Sequence, residues 1–148
     1  MKYVKDGLLY GTDDIVFQKG HIKKAMDLFN SKFIDDDGVV GFAQNHEHHP
    51  TGVALMGSKF KARYPEGKPF FPEYFHFACQ EVYWLACHLG RFTYMDEPAI
   101  IHNSPNQDKR LMDLTHKEAR INKAKDLKLM AQRKSAGLIW GQEQDNGV

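Results

Sequence analysis

An α/β fold, with helices packed on a mixed sheet, is what this sequence of 148 residues predicts, and three observations carry that expectation. Short apolar runs bounded by Gly, Asp or Pro alternate with longer segments whose apolar residues recur every three or four positions. The stretch Phe70 to His102 concentrates apolar and aromatic side chains and ends in two strand-like pieces. The apolar content, 42%, supplies one sizeable core, with no room for a second domain. The organisation expected is a single domain over 1–148, divided into an α/β core over 1–105, a C-terminal helix over 106–136 and a flexible tail over 137–148.

Taken in order, Leu8 to Tyr10 reads as a strand running into a turn at Gly11, Thr12, Asp13 and Asp14, with a second apolar piece behind it. From His21 to Phe33, Ile22, Ala25, Met26, Phe29 and Phe33 keep helical spacing while Lys23, Lys24, Asp27 and Lys32 take the other side, which predicts a one-faced surface helix. Asp35 to Gly38 make a solvated turn, and Val39 to Ala43 is continuously apolar, as an interior strand is. Residues 44–52 form a polar loop, and Val53 to Met56 is another strand candidate. Lys59 to Pro72 holds no period and reads either as a binding loop or lid, or as a packing loop held by Phe60, Tyr64, Phe70 and Phe71. Glu73 to Leu89 has the length and spacing of a buried helix stopped by Gly90. Phe92 to Met95 and Ala99 to His102 are expected as two strands, paired as a hairpin or as neighbours. Gln107 to Ser135 is a helix with an imperfect apolar stripe of Leu111, Leu114, Ile121, Ala124, Leu127 and Met130.

Twenty basic and 19 acidic side chains leave the chain nearly neutral, so its overall charge balance calls for neither nucleic acid nor an anionic membrane as partner. No apolar run approaches the roughly 20 residues that span a bilayer, and the start MKYVKDG has no signal-like segment, so a cytoplasmic location is expected. Cys79 and Cys87, eight apart on one helix, are separated by about 12 Å along its axis and cannot bridge each other. Buried free thiols are the expectation.

Four constellations could carry chemistry. Asp13 and Asp14 at a strand end suit a hard divalent cation, Mg²⁺ or Mn²⁺, although paired acids before a helix also serve as a solvated turn. His46, Glu47, His48 and His49 invite a zinc reading but lack the usual ligand spacings, which leaves a polar loop beside a cleft. Glu81 stands in an apolar helix surface and needs a wet cleft or a partner. His102 closes an apolar strand from which its side chain can reach the Asp13 and Asp14 turn and complete a metal shell. In that arrangement Glu81 is free to act as general base toward a hydroxyl; the alternative pairs Glu81 with Arg91 or Lys68 and His102 with a backbone carbonyl. The last helix region, nine basic and four acidic residues between 107 and 134, docks one face on the domain or on a partner subunit.

The pattern as a whole resembles the second half of the GT-A glycosyltransferases, in particular small bacterial and phage members of the broad inverting family. GLLYGTDDIVF, residues 7–17, looks like their strand and acidic metal motif; residues 73–92 are similar to the acceptor-side helix; PAIIHNSP, residues 98–105, looks like the late strand whose histidine joins the metal. The resemblance implies a truncated GT-A-like, Rossmann-like mixed sheet. It implies that Asp13 and Asp14 hold Mn²⁺ or Mg²⁺ and the diphosphate of a nucleotide-sugar donor, that His102 adds a metal ligand, and that Glu81 deprotonates the acceptor hydroxyl. Where the family commonly has Asp-x-Glu, this chain reads Cys79, Gln80, Glu81. The family's nucleotide-binding first half is not present before Leu8, so the sheet edge and helix-packing face it would cover are expected to meet another chain, a second copy of this chain or the C-terminal helix. The alternative is a non-catalytic remnant acting as a binding or structural oligomeric protein; a metal-dependent nuclease, which would need the acidic pair and the basic helix on one face, ranks last.

Overall fold

The computed structural model describes residues 6–12, 14–44, 52–102 and 114–142. It is a mixed α/β fold. Strands β1 (Leu8–Tyr10), β2 (Ile15–Phe17), β3 (Val39–Gln44), β4 (Ala54–Met56) and β5 (Phe92–His102) form one sheet in the order β1-β4-β3-β5-β2. Helix α1 (His21–Lys32) lies between β2 and β3, the short α2 (Ser58–Lys61) and α3 (Cys79–His88) between β4 and β5, and α4 (Leu114–Ser135) follows β5. β3 and β5 run parallel; the other pairs are antiparallel.

Chain connectivity makes the sheet curl. β1 and β2 are consecutive in sequence but occupy opposite edges. Four strand spacings of ~4.8 Å amount to about 19 Å in a flat sheet. The five steps from Tyr10 to Ile15 reach at most about 18 Å even when fully extended. The sheet therefore bends until its edges approach. Gly11 sits in the closed corner, where a Cβ would lie 2.7 Å from Cδ1 of Ile15 and 3.3 Å from Cγ1 of Val53.

Side chains alternate between two cores, as the pleat requires. On one face Val40, Phe42, Val53, Leu55 and Ile100 meet Ala25, Phe29 and Phe33, the α1 stripe and its C-cap. On the other, Val39, Ala54 and Met56 meet Phe60, Tyr64, Val82, Leu85 and Ala86, with Ile139 and Trp140 against them. Of the four expected anchors of the segment after β4, Phe60 and Tyr64 are buried as a packing loop requires, Phe71 is half-buried and Phe70 is exposed.

Four expectations change. Phe92–His102 is one strand, not two: Gly41 faces Tyr94 and Ala43 faces Pro98, so β5 carries extra residues there, with Met95 in the core and Asp96 and Glu97 exposed, and Pro98, which has no N–H to give, sits at the irregularity. Glu97 in that bulge reaches Lys24 Nζ at 2.7 Å on α1. Helix α3 begins at Cys79, not at Glu73. The amides of Phe75, His76 and Phe77 donate instead to the carboxylate of Asp126 on α4, the shortest at 2.6 Å, which holds that backbone out of the helix. Of the cysteines, Cys79 is partly buried and burial pushes its thiol up to about 11, but Cys87 is exposed.

The fourth concerns the end of the chain. Leu114, Ile121 and Leu127 of the expected stripe are exposed, and among the described side chains of α4 the buried ones are Asp126 and Arg133, seven positions apart and hence on one face. Both buried side chains are charged, and Leu129 and Met130 are half-buried. Residues 138–142 are docked as well. The Trp140 ring packs on Phe71 at 5.2 Å and its indole N–H donates to the Lys68 carbonyl at 2.9 Å. Gly141, at φ 89, fits where a Cβ would lie 2.7 Å from the Tyr64 ring. No helix among the described residues is long and apolar enough to cross a membrane.

Candidate functional site

The antiparallel register of β2 and β5 builds the site. Ile15 pairs with His102, so Asp14, immediately before β2, and His102, the last residue of β5, are brought together at one rim of the sheet. That rim is the C-terminal end of the parallel pair, since Gln44, the last residue of β3, faces Ile100. Such ends are where open α/β sheets place ligands. Asp14 Oδ2 and His102 Nε2 lie 2.8 Å apart, with the two side chains 17% and 29% exposed. Burial pushes the Asp14 carboxyl up, but a hydrogen bond from the Thr12 side chain and the hydrogen bond and charge of His102 outweigh it, and the net is a pKa below the ordinary carboxylate value.

The pair suits a divalent cation in two respects. Adjacent ligands of an octahedral Mg²⁺ at 2.0–2.1 Å subtend about 3 Å, so a cation bound by both side chains would take the place of the proton in their 2.8 Å hydrogen bond. A ligating carboxylate must also be ionised, and the lowered pKa of Asp14 keeps it so. Among the described residues no group of three His, Cys, Asp or Glu side chains converges as a metal site. Asp13, the other expected ligand, lies outside the described residues, as do His46, His48 and His49.

Glu81 is placed elsewhere. It is fully buried, and Tyr74 Oη donates to its Oε1 at 2.7 Å, Arg133 Nε to Oε1 at 2.6 Å, Arg133 Nη2 to Oε2 at 3.0 Å and the Trp140 amide to Oε2 at 2.6 Å. Its partner is Arg133, not Arg91 or Lys68. Arg91 bonds Asp35 at 3.1 Å, and Lys68 pairs with Glu66 at 2.5 Å. The Arg133 guanidinium also lies 3.8 Å above the Phe71 ring. A general base needs a lone pair directed at an acceptor and a route for that acceptor to arrive; Glu81 as placed has neither. It is the keystone that fastens α4 and the 138–142 segment to α3. Its charge on Tyr74, added to burial, pushes that phenol well above its usual range.

The Asp35 to Gly38 turn is likewise more than solvated. Asp37 is buried and binds Arg63 and, at 3.7 Å, Arg91. A groove of about 380 Å³ lies between α1 and the β5 bulge, lined by Lys24, Leu28, Met95, Asp96 and Glu97. The predicted site residues are not among them. Arg133, Tyr74 and Trp140, which hold Glu81, and Asp126, which holds the amides of residues 75–77, are the residues sequence reasoning missed; the spacing of Asp126 and Arg133 was the available signal. Comparison of the chain with protein-family models, curated proteins and solved structures finds no match.

Proposed function

We propose that this chain is a glycosyltransferase-like protein of GT-A type that transfers a sugar from a nucleotide-sugar donor to an acceptor hydroxyl, acting with a partner chain or as an oligomer. The observation that supports the reading is the meeting of Asp14 and His102, residues 88 positions apart, at 2.8 Å on the C-terminal rim of the sheet. Asp14 and His102, with Asp13 beside them in sequence, would hold Mn²⁺ or Mg²⁺. The chemistry such an ion would supply there is neutralisation of the charge gathering on a departing diphosphate. In the transfer the acceptor oxygen forms its bond to the anomeric carbon as the bond from that carbon to the diphosphate oxygen breaks. The electron pair leaves with the diphosphate, and the hydroxyl proton passes to a base. Glu81 is not assigned that role, because its lone pairs are held by Tyr74, Arg133 and Trp140.

Calorimetric titration of the whole chain with Mn²⁺ tests the metal centre. Saturable binding in the wild type, lost in Asp14→Ala and His102→Ala at unchanged helical content, is expected. Absence of binding in the wild type, or binding that neither substitution alters, overturns it. The sealed state of Glu81 favours a second reading, a non-catalytic binding protein on the same fold. A chain that binds Mn²⁺ but transfers no sugar from any nucleotide-sugar, alone or with its cellular partner, supports that alternative.

A further inference from the structure

We infer that α4 carries a peripheral docking surface for anionic phospholipid bilayers. Asp126 and Arg133 commit one face of this helix to the domain, and the opposite arc is left exposed. Along it Leu114, Lys117, Ile121, Lys125 and Lys128 follow one another at steps of three or four residues, a single stripe about 21 Å long. Leu114 and Ile121 are 75% and 77% exposed. A second exposed line, Arg120, Lys123 and Leu127, runs beside the first, with Leu127 41% exposed.

Charge identifies the occupant. The two lines carry five exposed cations, Lys117, Arg120, Lys123, Lys125 and Lys128, against one exposed anion on the helix, Glu118, while the other acid of the helix, Asp126, is turned inward against backbone amides; a further exposed cation, Lys134, lies over the Trp84 ring. A second copy of the same helix would bring like charges together. A nucleic acid would neutralise the cations but leave Leu114 and Ile121 in water, and α4 has no Phe, Tyr or Trp on which a base could stack. An anionic bilayer accommodates both classes of side chain: the aliphatic groups enter the headgroup boundary while lysine stems lie along it and carry their ammonium groups to the phosphates. The surface is independent of the Asp14 and His102 rim.

Sedimentation of the full chain with phosphatidylcholine vesicles, with and without about one-third phosphatidylserine, tests the inference. Binding is expected to the phosphatidylserine vesicles alone and to weaken as salt rises. The triple variant Lys117→Glu, Lys125→Glu, Lys128→Glu should bind at least about a hundredfold less. Leu114→Ser with Ile121→Ser, which keeps the charge, should bind about tenfold less. These positions are exposed, and circular dichroism melting confirms that both variants fold. Overturning results are no binding to anionic vesicles, equal binding to neutral ones, binding unchanged by both variants, binding of duplex DNA without binding of vesicles, or concentration-dependent self-association that Ile121→Ser abolishes in place of lipid binding.

Discussion

Glu81 and Asp14 are both carboxylates that meet a basic side chain from a distant part of the chain, and they are built for opposite purposes. Glu81 is fully buried, engaged on both oxygens by a guanidinium, a phenol and a backbone amide. Asp14 stands at a sheet rim with its partner His102 29% exposed. Removing a charge from water costs several kcal/mol unless its hydrogen-bonding capacity is filled, and Glu81 has it filled. The consequence is stability without availability. Asp14 is less desolvated, its pKa is lowered, and the neighbouring imidazole is a group that a cation can share. What separates an anchor from a ligand here is the number and direction of donors, not residue type.

The largest expected effect tests the anchor. Arg133→Ala leaves the Glu81 carboxylate buried without its counterion and should cost about 3–5 kcal/mol in urea unfolding. A loss under 1 kcal/mol would mean that water or another cation reaches Glu81, and the contrast with Asp14 would fail. The double variant Glu81→Leu, Arg133→Met removes both charges and should recover much of the loss.

A smaller effect is expected at the second pin. Asp126→Ala strands the amides of Phe75, His76 and Phe77 in a partly buried place and should cost about 1–3 kcal/mol. Hydrogen exchange distinguishes this from general loosening. Protection should fall first at those three amides and at the docked face of α4, while β3 and β5 keep theirs. Uniform loss across the sheet would show that α4 is part of one cooperative core and not a pinned attachment.

What the sequence made legible follows the range of the forces involved. The strands over Leu8–Tyr10 and Val39–Ala43, the α1 period and the presence of a C-terminal helix come from local apolar spacing, and they stand with small changes of boundary. The meeting of Asp14 with His102 was also readable, because each closes or opens an apolar strand and two such strands pair by their ends. The fate of Glu81 was not. It depends on Arg133 and Trp140, more than fifty residues away, and polar partners over that distance leave no periodicity. The α4 docking face was misjudged for a related reason. In place of an apolar stripe the helix buries an acid and an arginine seven apart, with Leu114 and Leu127 outward. The β5 bulge was mistaken for a break because Pro98 ends most strands, while here the carbonyls of Pro98 and Ala99 accept from Gln18 at 3.2 Å and 3.0 Å and keep the ladder going.

The smallest effect sharpens the other side of the comparison. Because the Asp14 pKa is lower in the fold than in the unfolded chain, the native state binds fewer protons there, and stability must rise with pH across the interval between the two values. Its contribution is complete above the unfolded carboxylate value of about 3.9 and is lost as pH falls through the lower folded value. Asp14→Asn removes that contribution, so its unfolding free energy from urea titration should lie slightly below wild type at pH 7, by no more than about 1 kcal/mol for a partly exposed pair. The two proteins should converge below pH 4. A difference that persists unchanged into acid would assign the effect to packing and not to ionisation. Addition of Mn²⁺ at pH 7 should widen the gap, since only the wild type offers the ionised ligand, and binding to the folded state alone raises stability by mass action. Arg133→Ala, which leaves the rim intact, should gain from Mn²⁺ as much as the wild type does, and that equality would establish that the two carboxylates act independently.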